Sequence, residues 1–261
     1  MKNNKVFPFF TLLVIASLSI AACSTQEAPE QPAPPPVEEV MEEPTEQVTE
    51  NPLNPTALGS CYNPYFPVME GKVWKYTTVT GDTTSTTDIS YKDVTTSSFT
   101  SVQQLQDIST EVLWTCGPDG LFSSQFPSMS SIVQMPDLKI ETLDVKGVFI
   151  PSEDKWQVGY SWNTEYVIKV SFKSGESVIE GQGILTVANT ISTIEPITVL
   201  SGTYNDAYKV DISGNILLNA MGTEINMPFT NSIWFVKNVG MVKSTSADPA
   251  INYKMELVSF E

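Results

Sequence analysis

From residue 61 onward, apolar and polar residues alternate along the chain instead of recurring at helical spacing. In the segment 73–80, Trp74, Tyr76 and Thr78 fall on one side, and the segment 165–172 shows the same period of two. This period is typical of β-strands with one buried face. Similar segments, separated by glycine-containing turns, predict roughly a dozen strands and no helix in this part of the chain.

The alternation of apolar and polar residues gives the limits of the predicted strands. One segment is ambiguous, because Phe99, Val102 and Leu105 fit a helical face whereas the glutamines between them fit a polar strand; a strand is favoured. The predicted strands are 73–80, 84–94, 98–108, 112–116, 121–126, 139–145, 165–172, 178–191, 202–212, 216–218, 225–229, 231–237, 241–245 and 252–260. Short turns favour antiparallel pairing. The predicted fold is a mainly β, curved antiparallel sheet, either a half-barrel or clam-like.

Two ordered repeats predict an internal duplication. The spacing G-x-x-W occurs at 71–74 and 159–162, and the spacing W-x5-G occurs at 114–120 and 234–240. A tight reversal after a strand favours glycine, which adopts positive φ without steric cost. We therefore predict two related β halves, 61–135 and 148–261, around one apolar interior. Trp74 and Trp162 would begin the halves, and Trp114 and Trp234 would lie near their ends. Trp156 is the candidate for an exposed rim residue.

A long sheet tends to curl, and alternate residues would then line its concave face. The candidates for lining a ligand site on that face are Tyr166, Ile168, Val170, Tyr208, Val210 and Phe235. Two apolar stretches, Met129 to Met135 and Ile216 to Met227, could cover the concavity. Whether they fill it as a plug or close it as a lid stays open at this stage.

The first residues have the pattern of an export signal. Lys2 and Lys5 precede an apolar run from Val6 to Ile20, which as a helix of about 22 Å is too short to span a bilayer. Small residues then lead to Cys23, which predicts a signal peptide at 1–22. Ile20-Ala21-Ala22-Cys23 resembles the bacterial lipobox. The resemblance implies cleavage before Cys23 and a diacylglyceryl and palmitate anchor on that cysteine, strong enough to hold the protein to a membrane.

Residues 23–60 form the lipidated cysteine and a linker. The linker contains eight glutamates and eight prolines and almost no aromatic residue. Such a segment cannot bury enough apolar surface to offset the entropy of ordering it. It is therefore predicted to be a disordered stalk that extends a single β domain, residues 61–261, away from the membrane.

Charge and composition exclude several functions. The domain carries 12 lysines against 22 acidic residues, so nucleic acid is not an expected partner. The chain contains no histidine and no arginine, which removes the commonest general base and zinc ligand and the bidentate anion fork. Ser152-Glu153-Asp154-Lys155 matches S-x-x-K only formally, because the context of that motif is missing. No cofactor, metal or catalytic residue is predicted, and we expect a protein that is not an enzyme.

Cys61 and Cys116 are the two cysteines of the domain. In an exported protein such a pair favours a disulfide over a redox site, since the residues form no C-x-x-C motif. Closing that loop would stabilise the fold by about 4 kcal/mol in the chain-entropy model. Two buried thiols are the alternative.

Three motifs carry a resemblance to a known group of proteins. They are P-x-x-x-G-x-x-W-x-Y at 67–76, G-x-Y-x-D-A-Y-K-V at 202–210 and W-F-V-K-N-V-G-M-V-K at 234–243. The chain resembles uncharacterised bacterial lipoprotein domains, some of them similar in fold to the lipoprotein carriers LolA and LolB. The resemblance implies a curved antiparallel half-barrel that cups a hydrophobic cleft.

These predictions combine into one functional hypothesis and one alternative. The chain would be an exported lipoprotein of the bacterial cell envelope, held to the membrane through Cys23, whose β domain binds a hydrophobic small molecule or a lipid. With two membranes the expected site is the outer membrane; otherwise it is the outer face of the cytoplasmic membrane. The alternative is a structural or adhesive surface module with a filled core. A protein partner is not specified.

Overall fold

The computed structural model describes residues 58–126, 138–174, 177–220, 222–246, 248 and 252–261. The strands are β1 (Val73–Thr80), β2 (Thr83–Lys92), β3 (Ser98–Leu105), β4 (Ile108–Gly117), β5 (Gly120–Ser123), β6 (Leu138–Lys146), β7 (Ile150–Pro151), β8 (Ser161–Ser174), β9 (Ser177–Val199), β10 (Gly202–Ala220), β11 (Thr223–Val236), β12 (Gly240–Ser246) and β13 (Tyr253–Phe260). Two 3-10 turns, Gly59–Cys61 and Glu153–Lys155, complete the described elements. No helix in these ranges is long and apolar enough to cross a membrane. Cys23 and the stretch Met129 to Met135 lie outside the described residues.

All thirteen strands belong to one antiparallel sheet in the order β6-β8-β9-β10-β11-β12-β13-β1-β2-β3-β4-β5-β7. The predicted β class is confirmed, and the ambiguous segment 98–108 contains strand β3. The predicted strands 202–212 and 216–218 are a single strand, β10, and 225–229 and 231–237 merge into β11. They merge because the β10–β11 ladder runs without interruption from the pair Tyr208 and Phe235 to the pair Ala220 and Thr223.

The sheet must curl, because the chain ties its two edges together. A flat sheet of thirteen strands would place its edge strands roughly 57 Å apart at the usual strand spacing. The edges here are β6 and β7, and only residues 147–149 separate them in sequence. That link spans at most about 14 Å. No hydrogen-bonded ladder joins β6 to β7 among the described strands, so the curved sheet is not closed into a barrel.

Hydrogen bonds from both ends of the sheet hold this link. The backbone N–H of Phe149 donates to the carbonyl of Leu121 in β5, at 2.8 Å. On the opposite side, Thr164 Oγ1 in β8 donates to the carbonyl of Val148 at 2.6 Å, and Trp162 Nε1 donates to the carbonyl of Phe149 at 3.2 Å. The link therefore fastens β5 to β8 and encloses the interior of the sheet.

The two halves share a strand plan. Each is a five-stranded meander, β1–β5 in the first half and β8–β12 in the second. A tryptophan lies in the first and the fourth strand of each half. Gly120 and Gly240 begin the fifth strands with φ of 136° and 93°, a region that a residue with a Cβ adopts only with strain. These observations support the predicted relationship between the halves.

Each half is also capped by the segment that precedes the other half. The backbone N–H of Asn238, in the β11–β12 turn, donates to the carbonyl of Pro64, which lies ahead of β1. In the corresponding place, the N–H of Ser152, ahead of β8, donates to the carbonyl of Asp119 in the β4–β5 turn. Around these caps, one hydrophobic cluster contains residues of both halves, among them Trp114 and Trp162.

The correspondence fails at Trp234. Ile233 and Phe235 both face the interior, so Trp234 between them projects from the opposite side of β11, whereas Trp114 points inward. On that outer side, Trp234 Nε1 donates to Glu195 Oε1 at 2.8 Å, and lysine ammonium groups lie 5.1 and 5.6 Å from the ring centroid. The tryptophan is only 9% exposed, since it also belongs to a hydrophobic cluster that includes Ile197, Val199 and Val242.

Two further predictions were wrong. Trp156 is not an exposed rim residue: it is buried, and its ring stacks on that of Tyr65 with centroids 4.0 Å apart. The stretch Ile216 to Met227 is neither a plug nor a lid, because its described residues belong to the hairpin of β10 and β11. Backbone pairing overrides the local clustering of apolar residues that suggested a cover.

The predicted disulfide between Cys61 and Cys116 is confirmed. Cys61 ends the first 3-10 turn and is fully buried, while Cys116 lies near the end of β4. The bond fastens the segment that precedes β1 to the strand that carries Trp114. It thereby fixes to the first half the segment that caps the second half.

Candidate functional site

A cavity of about 240 Å³ that opens to solvent lies between the strands of the first half and the last three strands of the chain. Its walls come from the inward faces of β1–β4 and β11–β13. One end is closed by Phe66 and Pro67, in the segment that leads to β1. The exposed residues Thr80 and Asn252 line the other end and mark its rim. The cavity is therefore a pocket with a floor and a mouth.

Eight of the residues that line the cavity are aromatic. The first-half strands contribute Trp74, Tyr76, Tyr91 and Trp114. The remaining rings belong to Phe66, Phe149, Phe235 and Tyr253. They pack on one another, with ring centroids 5.0 Å apart for Phe66 and Trp114 and 5.3 Å apart for Trp74 and Tyr91. Such contacts hold the rings in fixed orientations and leave carbon surface toward the cavity.

Most polar atoms of these rings are already hydrogen-bonded within the protein. Trp74 Nε1 donates to the carbonyl of Val239 at 2.8 Å. The hydroxyl of Tyr76 donates to the carbonyl of Met241 at 2.9 Å, and Trp114 Nε1 donates to Ser101 Oγ at 2.9 Å. Because these indole and phenol groups already have hydrogen-bond partners, the cavity offers mainly apolar contacts.

The lining carries no charge. None of the residues that line the cavity is acidic or basic. Burial raises the pKa of the Tyr76 hydroxyl well above its ordinary value and also raises that of Tyr91, so both phenols stay neutral. One lining hydroxyl, Thr78 Oγ1, is buried without a hydrogen-bond partner in the part of the chain that the structure describes. The site can thus bind an apolar body and offers a few neutral polar groups.

A second, smaller cavity of about 30 Å³ lies in the other half. Its wall includes Tyr166 and Val187 from β8 and β9 and Phe229 from β11. Phe149, Ile233 and Phe235 line both cavities and separate them. The interior is therefore one apolar space divided into an open part and a nearly filled part.

The six residues predicted to line a ligand site have different positions. Tyr166 and Val210 line the small cavity, and Phe235 lines both. Ile168 and Val170 are buried in the cluster around Tyr166 and line neither cavity. Tyr208 likewise lines neither; its ring meets those of Tyr65 and Trp156 edge-on, with centroids 4.8 and 5.8 Å away. Their role in ligand binding stays a prediction.

Sequence reasoning missed most of the larger cavity, because it placed the ligand site on the second half. The signal for the first half was present in the alternation of Trp74, Tyr76 and Thr78 along β1, all of which line the cavity. What the alternation did not reveal was that Ser244 and Met255, from the end of the chain, would face the same space. The pairing of β1 with β13 brings Met255 there, and the pairing of β13 with β12 brings Ser244.

The described residues contain no group of three or more side chains of the types that hold metal ions. The described acidic and basic side chains form ion pairs at the surface, such as that between Lys92 Nζ and Glu111 Oε1 at 2.7 Å. The apolar cavity is consequently the feature of the described structure most suited to binding a ligand.

A curved, open antiparallel sheet with an apolar cavity defines the class of this structure. No protein-family model and no curated protein matches the chain. Two solved structures are similar to it: a putative exported protein with a YmcC-like fold from Bacteroides fragilis, at 13% identity and a TM-score of 0.48, and a putative lipoprotein from Parabacteroides distasonis, at 16% identity and a TM-score of 0.46. Each alignment covers 76% of this chain and 98% of the other. At these TM-scores neither likeness supports an argument about function, and similarity to LolA and LolB stays a prediction.

Proposed function

We propose that this protein is an exported, lipid-anchored lipoprotein of the bacterial envelope whose β domain binds a hydrophobic ligand. The binding site is the cavity of about 240 Å³ between β1–β4 and β11–β13. That cavity is the observation that carries the proposal. The hydrophobic ligand would enter at the rim near Thr80 and lie against the aromatic wall.

The energetic cost of the cavity supports a binding role. Protein interiors are close-packed, and voids larger than a water molecule are few. The apolar lining of this cavity stays in contact with solvent through the mouth. Apolar surface that is left unburied forgoes roughly 25 cal/mol of stabilisation per Å². Filling the cavity with larger side chains would stabilise the fold, so its presence favours a site kept open for a ligand.

The filled interior of the second half favours the alternative, a structural or adhesive module. There the cavity is only about 30 Å³. In that alternative the larger cavity would be an imperfection of packing, and blocking it would affect stability alone. The two functions therefore differ in what a blocked cavity does to ligand retention.

A pair of matched variants separates them. Ile89 lines the cavity on β2, and Thr86 is exposed on the other face of the same strand. We expect native mass spectrometry of the protein purified from its host to show a bound small molecule in the wild type and in Thr86→Trp, but not in Ile89→Trp. If Ile89→Trp retains the same mass, or if no chain carries any adduct and no apolar probe binds, the binding function is wrong.

The membrane anchor is a separate part of the proposal and rests on the lipobox at Cys23. Cys23→Ser should abolish incorporation of labelled palmitate and leave the precursor unprocessed or mislocalised. A matched change at the next residue, Ser24→Ala, should leave labelling intact. Labelling that persists in Cys23→Ser would contradict the anchor and leave the cavity proposal untouched.

We also propose that the protein acts without catalysis and without nucleic acid. The chain has no histidine, and its formal net charge is −16. Such a charge repels phosphate backbones. A binding protein with a neutral apolar site needs neither a general base nor a charged surface.

A further inference from the structure

The size of the cavity limits what it can hold. An engineered apolar cavity of about 150 Å³ in another protein binds one benzene molecule, which has six carbon atoms. On that scale a cavity of 240 Å³ accommodates about ten non-hydrogen atoms. A single long acyl chain already exceeds this number, and a lipid with two acyl chains exceeds it severalfold. The buried part of the ligand is therefore small.

The absence of charge in the lining further limits which ligands the cavity can hold. A charged group inside this cavity would lose its water and find no opposite charge among the lining residues, which is strongly unfavourable. The indole N–H groups of Trp74 and Trp114 are already donated to protein acceptors. Neither can compensate a buried carboxylate. The part of the ligand that enters is consequently uncharged.

The wall favours flat rings over flexible chains. Trp114 lies against Phe66 and Phe149, with centroids 5.0 and 5.3 Å away, and Tyr91 lies against Trp74. These rings are fixed, so an aromatic ligand gains ring contacts beyond those of area alone. A flexible chain must also lose conformational freedom on binding. A rigid planar ligand loses little conformational freedom when it binds.

The mouth offers neutral polar partners. Thr80 and Asn252 are exposed at the rim. Thr78 lies two residues before Thr80 in β1, on the same face and deeper in the cavity. Its buried hydroxyl lacks a hydrogen-bond partner within the described residues. A hydroxyl or amide group on the ligand would find donors and acceptors here.

We propose that the cavity takes one uncharged ligand of about ten non-hydrogen atoms, with an aromatic body against Trp74 and Trp114 and a neutral polar group at the rim. This inference rests on the proposed binding function and deepens it. It excludes phospholipids and the acylated anchors of other lipoproteins as occupants. The domain would therefore be a receptor for a small aromatic molecule and not a carrier of membrane lipid.

The test uses the processed chain, residues 23–261, with Cys23→Ser so that no acyl group competes for the site. Isothermal titration calorimetry compares three probes: 2-naphthol, which is neutral; 2-naphthoate, which carries a carboxylate on the same ring; and 1-decanol, a flexible chain of similar size. A fourth experiment mixes the protein with vesicles of diacyl phosphatidylcholine. Mass spectrometry then measures whether lipid has been transferred to the protein. We expect one 2-naphthol per chain, bound at least about tenfold more tightly than 2-naphthoate, or about 1.4 kcal/mol, and no transferred phospholipid.

The outcomes separate this inference from the function on which it rests. Blocking the site with Ile89→Trp should lower the affinity for 2-naphthol by at least about tenfold, and Thr86→Trp should leave it unchanged. Thr80→Trp is a second blocking variant that alters only an exposed rim residue. If 2-naphthoate, 1-decanol or phospholipid binds as well as 2-naphthol and the blocking variants abolish that binding, the ligand class is wrong while the binding function stands. If no probe binds, the ligand class is wrong; the binding function is wrong as well if the protein purified from its host carries no adduct.

Discussion

The two halves of this sheet share a strand plan but differ in what fills them. The first half, together with β11–β13, encloses about 240 Å³, whereas the interior of the second half encloses about 30 Å³. In the second half, Phe229 pairs directly with Gly214 across β10 and β11, and its ring occupies the space above the glycine. In the first half, small side chains such as Ser101 and Thr78 line the corresponding interior. The backbone plan is shared, so the size of each cavity depends on the volume of a few inward side chains.

This difference indicates how two β units with the same strand plan can differ in the space that they enclose. One half is filled and contributes stability, and the other stays open. The wall between them, formed by Phe149, Ile233 and Phe235, keeps the two functions apart. Four measurements would break or sharpen this comparison.

The largest effect should come from the disulfide, which is present only in the first half. Replacing Cys61 and Cys116 together by serine should lower the free energy of unfolding by about 4 kcal/mol, because the bond spans 55 residues and restricts the unfolded chain. Equilibrium urea unfolding measures this loss. The reduced wild type should match the double variant. A loss below about 1 kcal/mol would show that the open half does not depend on its crosslink.

Phe229→Ala should come next, with a loss of about 3 kcal/mol, the lower end of the range for truncating a buried phenylalanine. The ring is 9% exposed and lines the small cavity. Its removal should enlarge that cavity toward the size that holds one benzene molecule, so calorimetry with benzene should detect one more binding site than in the wild type. Leu113→Ala, at an exposed position, is the control and should change stability by less than about 0.5 kcal/mol. Unaltered stoichiometry in Phe229→Ala would mean that ring volume does not decide which half is open.

The paired glycines should differ by a smaller amount. A Cβ at Gly120 would lie 2.1 Å from the carbonyl oxygen of Ile150, whereas one at Gly240 would lie 3.1 Å from Pro67 Cδ. Both substitutions incur backbone strain of about 1–2 kcal/mol. Gly120→Ala adds a backbone clash, so it should be about 2 kcal/mol more destabilising than Gly240→Ala in thermal or urea unfolding. Equal losses would contradict the tighter cap on the first half.

The smallest effect concerns the loss of folding stability at acidic pH. Partial burial raises the pKa of Asp211, but hydrogen bonds from Ser232, Ser192 and Lys209 outweigh it and hold that pKa below its ordinary value. The stabilisation is therefore present above the unfolded pKa of about 3.9 and is lost as the pH falls through the lower folded value. The carboxylate is 46% exposed, so Asp211→Asn should cost less than about 1 kcal/mol at pH 7.

Unfolding of wild type and Asp211→Asn at pH 7 and at pH 2 measures this effect. The difference between the two proteins should shrink from pH 7 to pH 2, as the falling pH protonates Asp211. An undiminished difference would assign the loss to packing instead of charge.

Local alternation was sufficient to predict the β class and most strands, because the side-chain period of a strand is a property of neighbouring residues. The limits of β1 were predicted to the residue, whereas β10 and β11 were divided into pieces. A polar or glycine position such as Gly214 interrupts a pattern in the sequence. It does not interrupt a ladder whose partner strand continues.

The cysteine pair and the repeated glycines were also readable from the sequence, since each depends on a residue type with one dominant physical use. Gly120 and Gly240 have the positive φ that their spacing from the tryptophans predicted. Cys61 and Cys116 were the only two candidates for a bond within the domain. Chemistry of this kind needs no knowledge of the fold.

The site itself was decided only by the tertiary structure. The cavity combines side chains from β1–β4 with others from β11–β13, such as Met255, which is 177 positions after Thr78 in the chain and pairs with it in the sheet. The side on which Trp234 projects depends on the register of β11, which the repeat did not determine. Volume left between distant strands is a property of their packing, and no local pattern of residues encodes it.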